Sequence, residues 1–316
     1  MSARSTSTSA EAILRVAASQ IPRVLGLVDR DPASPTYGCA DRAYWHYRST
    51  DFPNARFQEA CLLLSLAYRH DEVDPRLHGN GRVREWIAAI VGFWSRARRR
   101  SGACDEAYPN EAGFCPTAFT TYAVAETALR VPGLEVPGLA RSADWLLRRE
   151  NPDVANQMAA AALALHGVHR LTGDVRYLEG SRRKVERILD RQSPEGFFPE
   201  YGGHDLGYLS ITLGLLAVLH SRDPDPRLEG ALRRALDFLV ARLDPEGDYD
   251  PAGTSRRTRF LYPLGLALLG SEAVERVGRG IAAGSILNPA WMDDRYVIPF
   301  ATDYLLAGLE LSKRSE

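Results

Sequence analysis

The chain has 316 residues, 45% of them hydrophobic and 25% charged, with a formal charge of −1. That is the composition of an ordinary soluble globular protein, and it lacks the basic surplus that binding to a nucleic-acid backbone requires. The longest apolar runs, over 158–168 and 206–219, fall short of the roughly 20 residues that span a bilayer, so no membrane association is expected.

Residues 1–8 are low in complexity and read as a disordered tail, and 9–316 as a single domain, since no Gly/Ser-rich or Pro-rich linker divides them. No positively charged segment followed by an apolar core opens the chain, which predicts a cytoplasmic location. Glu11 to Val28 carries a weak helical pattern. The first polar loop follows, with Tyr44-Trp45-His46-Tyr47-Arg48 and then Asp51-Phe52-Pro53-Asn54-Ala55-Arg56, and an apolar stretch begins near Asn54. Gly81 to Arg98 sets Val83, Trp86, Ile87, Ile90, Val91 and Trp94 on one stripe, the spacing of a helix that buries one face. The second loop, Asp105-Glu106-Ala107-Tyr108-Pro109-Asn110-Glu111, precedes an apolar stretch from Pro116. Leu139 to Arg149 is weakly amphipathic, and Asn156-Gln157 opens a third apolar stretch.

Tyr177, Leu178, Ser181, Val185, Ile188 and Leu189 form the next one-sided stripe. After it comes the fourth loop, Glu195 to Asp205, and then an almost wholly apolar run through Leu219. Leu232, Ala235, Leu236, Leu239 and Leu243 repeat the stripe. The fifth loop holds Asp248-Tyr249-Asp250, Arg256 and Arg257 before an apolar stretch from about Arg259, with Leu261 to Leu269 at its centre. Glu272 to Ala283 is weakly amphipathic, and the sixth loop, Asp293-Asp294-Arg295-Tyr296, leads to a last apolar stretch from Pro299. A helix without a polar face must be surrounded by protein. One-sided and all-apolar helices alternating at roughly 40 to 60 residues predict an all-α fold, an (α/α)6 toroid with inner and outer rings. Period-two alternation is missing, so strands are expected only as short hairpins in loops.

In such a ring the six loops share one end, where inner-helix N-termini point into a funnel and favour anions. Aromatic residues mixed with carboxylates and arginines suit sugar rings, whose apolar faces stack while polar groups take the hydroxyls. Trp45, Tyr47, Arg48, Asp51, Asn54, Asp105, Tyr108, Gln157, Phe198, Asp250, Arg257 and Tyr296 are the expected substrate contacts. The fourth loop is the sharpest signal. Gly202 and Gly203 permit positive φ and a tight approach, holding Glu200, Tyr201, His204, Asp205 and Tyr208 in a short span; Asp205 also stands where a helix N-cap belongs. With Asn156, these are the expected catalytic residues. The four cysteines, Cys39, Cys61, Cys104 and Cys115, lack CxxC spacing. No metal or other cofactor is expected, and a reducing compartment favours free thiols, although Cys104 and Cys115 flank one loop.

Asn156-Gln157, the Glu200-Tyr201-Gly202-Gly203-His204-Asp205 segment with Tyr208, and the arginines of the fifth loop resemble the α/α-toroid polysaccharide lyases, the heparinase and alginate lyase group. The resemblance implies β-elimination on a uronate-containing oligosaccharide or polysaccharide. It makes Asn156 the group that neutralises the uronate carboxylate, His204 the base, Tyr208 or Tyr201 the acid, and Arg257 a carboxylate anchor. Three other readings stay open. A toroid glycoside hydrolase of the unsaturated-uronyl type would pair Asp51, Asp105 or Glu106 with Glu200, Asp205 or Asp250 at about 5 to 9.5 Å. A terpenoid-cyclase-like enzyme would share the aromatic cavity, though DxDD is missing. A non-catalytic glycan-binding toroid would need no acid–base pair.

Overall fold

In the computed structural model, which describes residues 3–315, the fold is all-helical. Helix α1 (Ala3–Ala18) is followed by the short α2 (Ile21–Leu27) and α3 (Arg42–Trp45), and a 3-10 turn at Ala55–Glu59 runs into α4 (Ala60–Arg69). Next come α5 (Gly81–Ala97), α6 (Phe114–Arg130), α7 (Leu139–Leu147), α8 (Ala155–Thr172), α9 (Val175–Leu189), α10 (Leu206–Arg222) and α11 (Pro226–Val240). The chain finishes with α12 (Leu264–Leu268), α13 (Ala273–Ala283), a 3-10 turn at Pro289–Trp291 and α14 (Val297–Ser315). Among the described residues β pairing is limited to isolated bridges, such as Cys104 with Gly113 and Val154 with Glu200. Among the described residues no helix is long and apolar enough to cross a membrane.

The apolar helices pack on one another in chain order. Helix α4 lies against α6, α6 against α8, α8 against α10, α10 against α12, α12 against α14, and α14 against α4. The one-sided helices pack against them: α5 on α4, α7 on α6 and α8, α9 on α8, α11 on α10, α13 on α12, and α1 on both α13 and α14. Small residues set the close approaches. A Cβ on Gly265 of α12 would stand 2.9 Å from the Gly214 nitrogen of α10, so α12 tolerates no side chain at that position. Side-chain caps fix the starts of several helices. Asn80 accepts from Arg82 N, Asp174 from Arg176 N, Asp205 from Tyr208 N, and Asp225 from Arg227 N with Pro226 behind it.

The backbone is helical from Ala3; Met1 and Ser2 lie outside the described residues. One expectation about element boundaries needs correction. The fifth apolar stretch is helical only over Leu264–Leu268 and has no regular structure before that. Pro263 disfavours helix at the residue preceding it. The irregular backbone is satisfied from elsewhere: Tyr249 OH donates to Phe260 O at 2.9 Å, and Tyr262 N donates to Ser210 Oγ at 2.9 Å.

Candidate functional site

The segments that precede all six apolar helices contribute to one cavity of about 270 Å³. Arg56 comes from the first, Glu106 and Cys115 from the second, and Asn156 and Gln157 from the third. Tyr201 and Tyr208 come from the fourth, Arg256, Phe260 and Tyr262 from the fifth, and Arg295, Tyr296 and Pro299 from the sixth. Phe119 and Ile211 complete the lining.

Two ion pairs link the first, second and sixth segments. Arg56 binds Glu59 through Nε and through Nη2 at 3.3 Å, and its Nη1 donates to Cys115 Sγ at 3.0 Å. Arg295 Nη2 donates to Glu106 Oε1 at 2.7 Å, while Arg56 Nη1 stands 4.0 Å from Glu106 Oε2. Burial works against the charge on Glu106, but these two arginines outweigh it and hold the carboxyl below its usual range. Burial pushes the Cys115 thiol up to about 11, so it is protonated at neutral pH. Arg295 Nε and Nη1 are buried without a hydrogen-bond partner among the described residues. The Arg256 guanidinium lies 4.5 Å over the Tyr201 ring and has no carboxylate partner among the described residues, while the Arg256 backbone N–H donates to Asp205 Oδ2 at 3.2 Å. With Glu59 opposite Arg56 and Glu106 opposite Arg295, the cavity keeps one surplus positive charge.

The third and fourth segments form the opposite wall. Gln157 Nε2 donates to Tyr201 OH at 3.4 Å, and the Tyr201 and Tyr208 rings lie 6.0 Å apart. Burial raises both phenols, Tyr208 to about 12. Behind Asn156 sits Glu200, with no exposed surface. Its Oε1 accepts from Asn156 N at 2.8 Å and its Oε2 from Asn156 Nδ2 at 2.8 Å, while Thr212 Oγ1 reaches Oε1 at 3.3 Å. Burial outweighs these bonds and lifts Glu200 to about 8, so the acid that orients Asn156 is largely neutral at pH 7.

Of the expected catalytic set, Asn156, Tyr201 and Tyr208 line this cavity; of the expected contacts, Gln157 and Tyr296 do. The others do not line it. His204 is packed between Phe197 and Phe238, at ring distances of 5.5 and 5.4 Å. Asp205 is buried and caps α10, and also accepts from Thr258 Oγ1. Phe198 has no exposed surface and belongs to the core, since an aromatic flanked by apolar helices is drawn inward. Trp45 is tied to Leu27 O by its indole N–H at 2.8 Å, and Asn54 caps the 3-10 turn. Asp105 gathers the second loop through Asn110 N, Ala112 N and Arg99, and Asp250 closes a turn through Ala252 N. Tyr47 and Tyr108 are exposed, at 64% and 71%. Arg48 takes a φ of 51°, and Asp51 is exposed. Arg257 takes a φ of 53°, and its neighbour Arg256 reaches the cavity instead.

The two glycines of the fourth loop divide the roles expected of them, positive φ and tight approach, and Tyr201 adds a positive φ that was not expected. Positive φ falls on Tyr201, at 55°, and Gly202, at 85°. Gly203 serves close approach, because a Cβ there would stand 3.2 Å from Ser255 Cβ. Glu106 was named only for the hydrolase reading, and Arg56, Cys115, Phe260, Tyr262, Arg256 and Arg295 are among the lining residues the sequence reading did not select. Their common signal is position, within a turn or two of each apolar helix start. All four cysteines are free thiols. Among the described residues no group of three or more His, Cys, Asp or Glu side chains gathers as a metal site. No protein-family model matches the chain, and no curated protein matches it.

Proposed function

We propose that the six helical pairs close into an (α/α)6 toroid whose cavity is the active site of an enzyme that cleaves a uronate-bearing oligosaccharide or polysaccharide by β-elimination. Closure is supported by the packing of α14 on α4 and by the convergence of all six segments on one cavity. The observation that carries the chemistry is the lining itself. Asn156, Gln157, Tyr201 and Tyr208 stand with Arg256 and the free donors of Arg295 around a space where Glu106, already ion-paired, is the single carboxylate among the described lining residues. Hydrolysis would require two carboxyl groups about 5 to 9.5 Å apart across the bond, which counts against it.

In this reading the arginines and amides take the uronate carboxylate and acidify the adjacent C–H. Tyr201, beneath the Arg256 cation that favours its phenolate, accepts that proton. The electron pair forms the carbon–carbon double bond, the glycosidic C–O bond breaks, and Tyr208 protonates the departing oxygen. His204 has no role. The test is incubation with uronic-acid oligosaccharides, following the ultraviolet absorbance of an unsaturated product. Tyr208→Phe is expected to lose turnover with its far-UV circular dichroism unchanged; full activity in that variant removes the mechanism. The second reading, a non-catalytic anionic-glycan receptor, is favoured by the upward shift of both phenols, which leaves no base charged at neutral pH. Saturable binding of the uronate oligosaccharide without any unsaturated product, left unchanged by Tyr201→Phe and Tyr208→Phe, would select it.

A further inference from the structure

A second space lies beneath the first. Phe119, Ile211, Tyr262 and Pro299 line both the cavity above and a smaller chamber of about 50 Å³ between the apolar helices. The chamber is largely aliphatic and aromatic, yet two carboxyl groups face it, Glu59 and Asp303. Glu59 is engaged by Arg56 through two nitrogens. Asp303 is not engaged in this way. Its Oδ1 accepts from Leu264 N at 2.9 Å, and among the described residues nothing else donates to the carboxyl and no cation pairs with it. Its Oδ2 lies over Gly214, 3.5 Å from where a Cβ would stand.

The surroundings of Asp303 supply no counter-charge. Tyr122 from α6 and Tyr262 before α12 are the titratable groups facing it, with Tyr304 on its own helix, and burial raises all three phenols so that they stay neutral. Helix α4 contributes Leu62, α10 contributes Ile211 and Leu215, and α12 contributes Leu264. On the other flank of α14, Glu11 and Arg15 of α1 pair with each other. A carboxyl held in an apolar space by one hydrogen bond is expensive to keep ionised. A chamber meant only for a hydrocarbon would gain by replacing it.

We infer that this chamber is a subsite for an ammonium group on a short apolar chain, entering through the cavity above, with Asp303 as counter-ion and Phe119, Tyr122 and Tyr262 as aromatic partners of the cation. The inference does not rest on the elimination chemistry. A neutral hydroxyl would add one hydrogen bond to a protonated acid, whereas an ammonium ion restores the charge-balanced pair that the fold otherwise leaves incomplete. Burial holds the Asp303 proton up to about 8. Cation binding at lower pH therefore exchanges one ammonium for one proton.

The experiment is calorimetric titration of the full chain with propylammonium chloride, and with propan-1-ol as the neutral counterpart, from about pH 6 to 9, a range that brackets the Asp303 proton. Affinity for propylammonium is expected to rise about fifty-fold between pH 6 and 8 and to level off above, with about nine-tenths of a proton released per ligand bound at pH 7. Two buffers of different ionisation heat measure that release. Asp303→Asn, which can keep the bond from Leu264 N, is expected to abolish both the binding and the release. Lack of saturable propylammonium binding, pH-independent binding, or equal binding of propan-1-ol that survives Asp303→Asn would each overturn the inference. Should that variant fail to fold, proton release by the wild-type chain decides alone. Failure of the uronate assay with this result intact would remove only the proposed reaction.

Discussion

Replacing Glu200 by Gln tests whether a neutral acid stands behind Asn156. The wild-type carboxyl is wholly buried and lifted from its ordinary 4.5 to about 8. Its folded pKa is therefore above its unfolded one. The stability it contributes is full below about pH 4.5, declines as pH rises, and is gone above about pH 8. A rise of about 3.5 in pKa, at about 1.4 kcal/mol for each tenfold step, sets a ceiling of roughly 5 kcal/mol on that decline. The substituted amide cannot ionise. Its carbonyl oxygen can accept from Asn156 N, and the Asn156 amide turns over so that its oxygen meets the new NH2, a rearrangement costing about 1 kcal/mol or less. Urea denaturation followed by circular dichroism at about pH 5, 7 and 9 reads the difference. The variant should match the wild type within about 1 kcal/mol at pH 5 and exceed it by several kcal/mol at pH 9, with equal m-values. Parallel wild-type and variant curves across the three pH values would refute the assignment of a neutral Glu200.

Glu126 has the opposite sign. Burial opposes its charge, but Arg222 and Arg130 outweigh it and hold its pKa at about 2, so its contribution is present above about pH 4.5 and lost as pH falls through 2. It takes Arg222 Nη1 at 2.7 Å, Arg222 Nη2 at 2.9 Å and Arg130 Nη1 at 2.6 Å, tying α6 to α10. Glu126→Ala should cost about 3–5 kcal/mol in urea at pH 7, because it strands two part-buried cations; a loss below about 1 kcal/mol would contradict that role. Arg256→Ala should weaken binding of a uronate oligosaccharide at least tenfold, and Arg257→Ala less than twofold, by calorimetry; equal effects would mean the wrong arginine has been placed in the cavity. Phe198→Ala should lower stability by about 3–5 kcal/mol while leaving uronate affinity in the folded protein unchanged, measured by urea midpoint and calorimetry.

The helices were legible because their burial follows a period. One-sided stripes such as that of Gly81 to Arg98 and all-apolar runs such as Leu206 to Leu219 each specify how many sides of a helix must be covered, and chain order did the rest. The fifth apolar stretch was misread because its apolar composition outweighed Pro263, and because nothing within it reports the side chains of Tyr249 and Ser210 that bond its irregular backbone. Within the site, sequence reasoning selected residues by chemical type and local density, which drew in His204, Asp205 and Phe198 from the crowded fourth loop. Their positions are set by demands that come before any ligand. Asp205 caps a helix, Phe198 fills the core, and His204 packs between two phenylalanines. The arginines that reach the cavity are separated by long stretches of chain, and each looks ordinary alone. Arg56 gains its meaning from Glu59 and Cys115, Arg295 from Glu106, and Asp303 from the lack of any such partner. A satisfied charge and an unsatisfied one look alike in sequence. The cavity's surplus cation and the chamber's unpaired acid separate only once every partner has been located, and the two proposals, an anion above and an ammonium below, both rest on that difference.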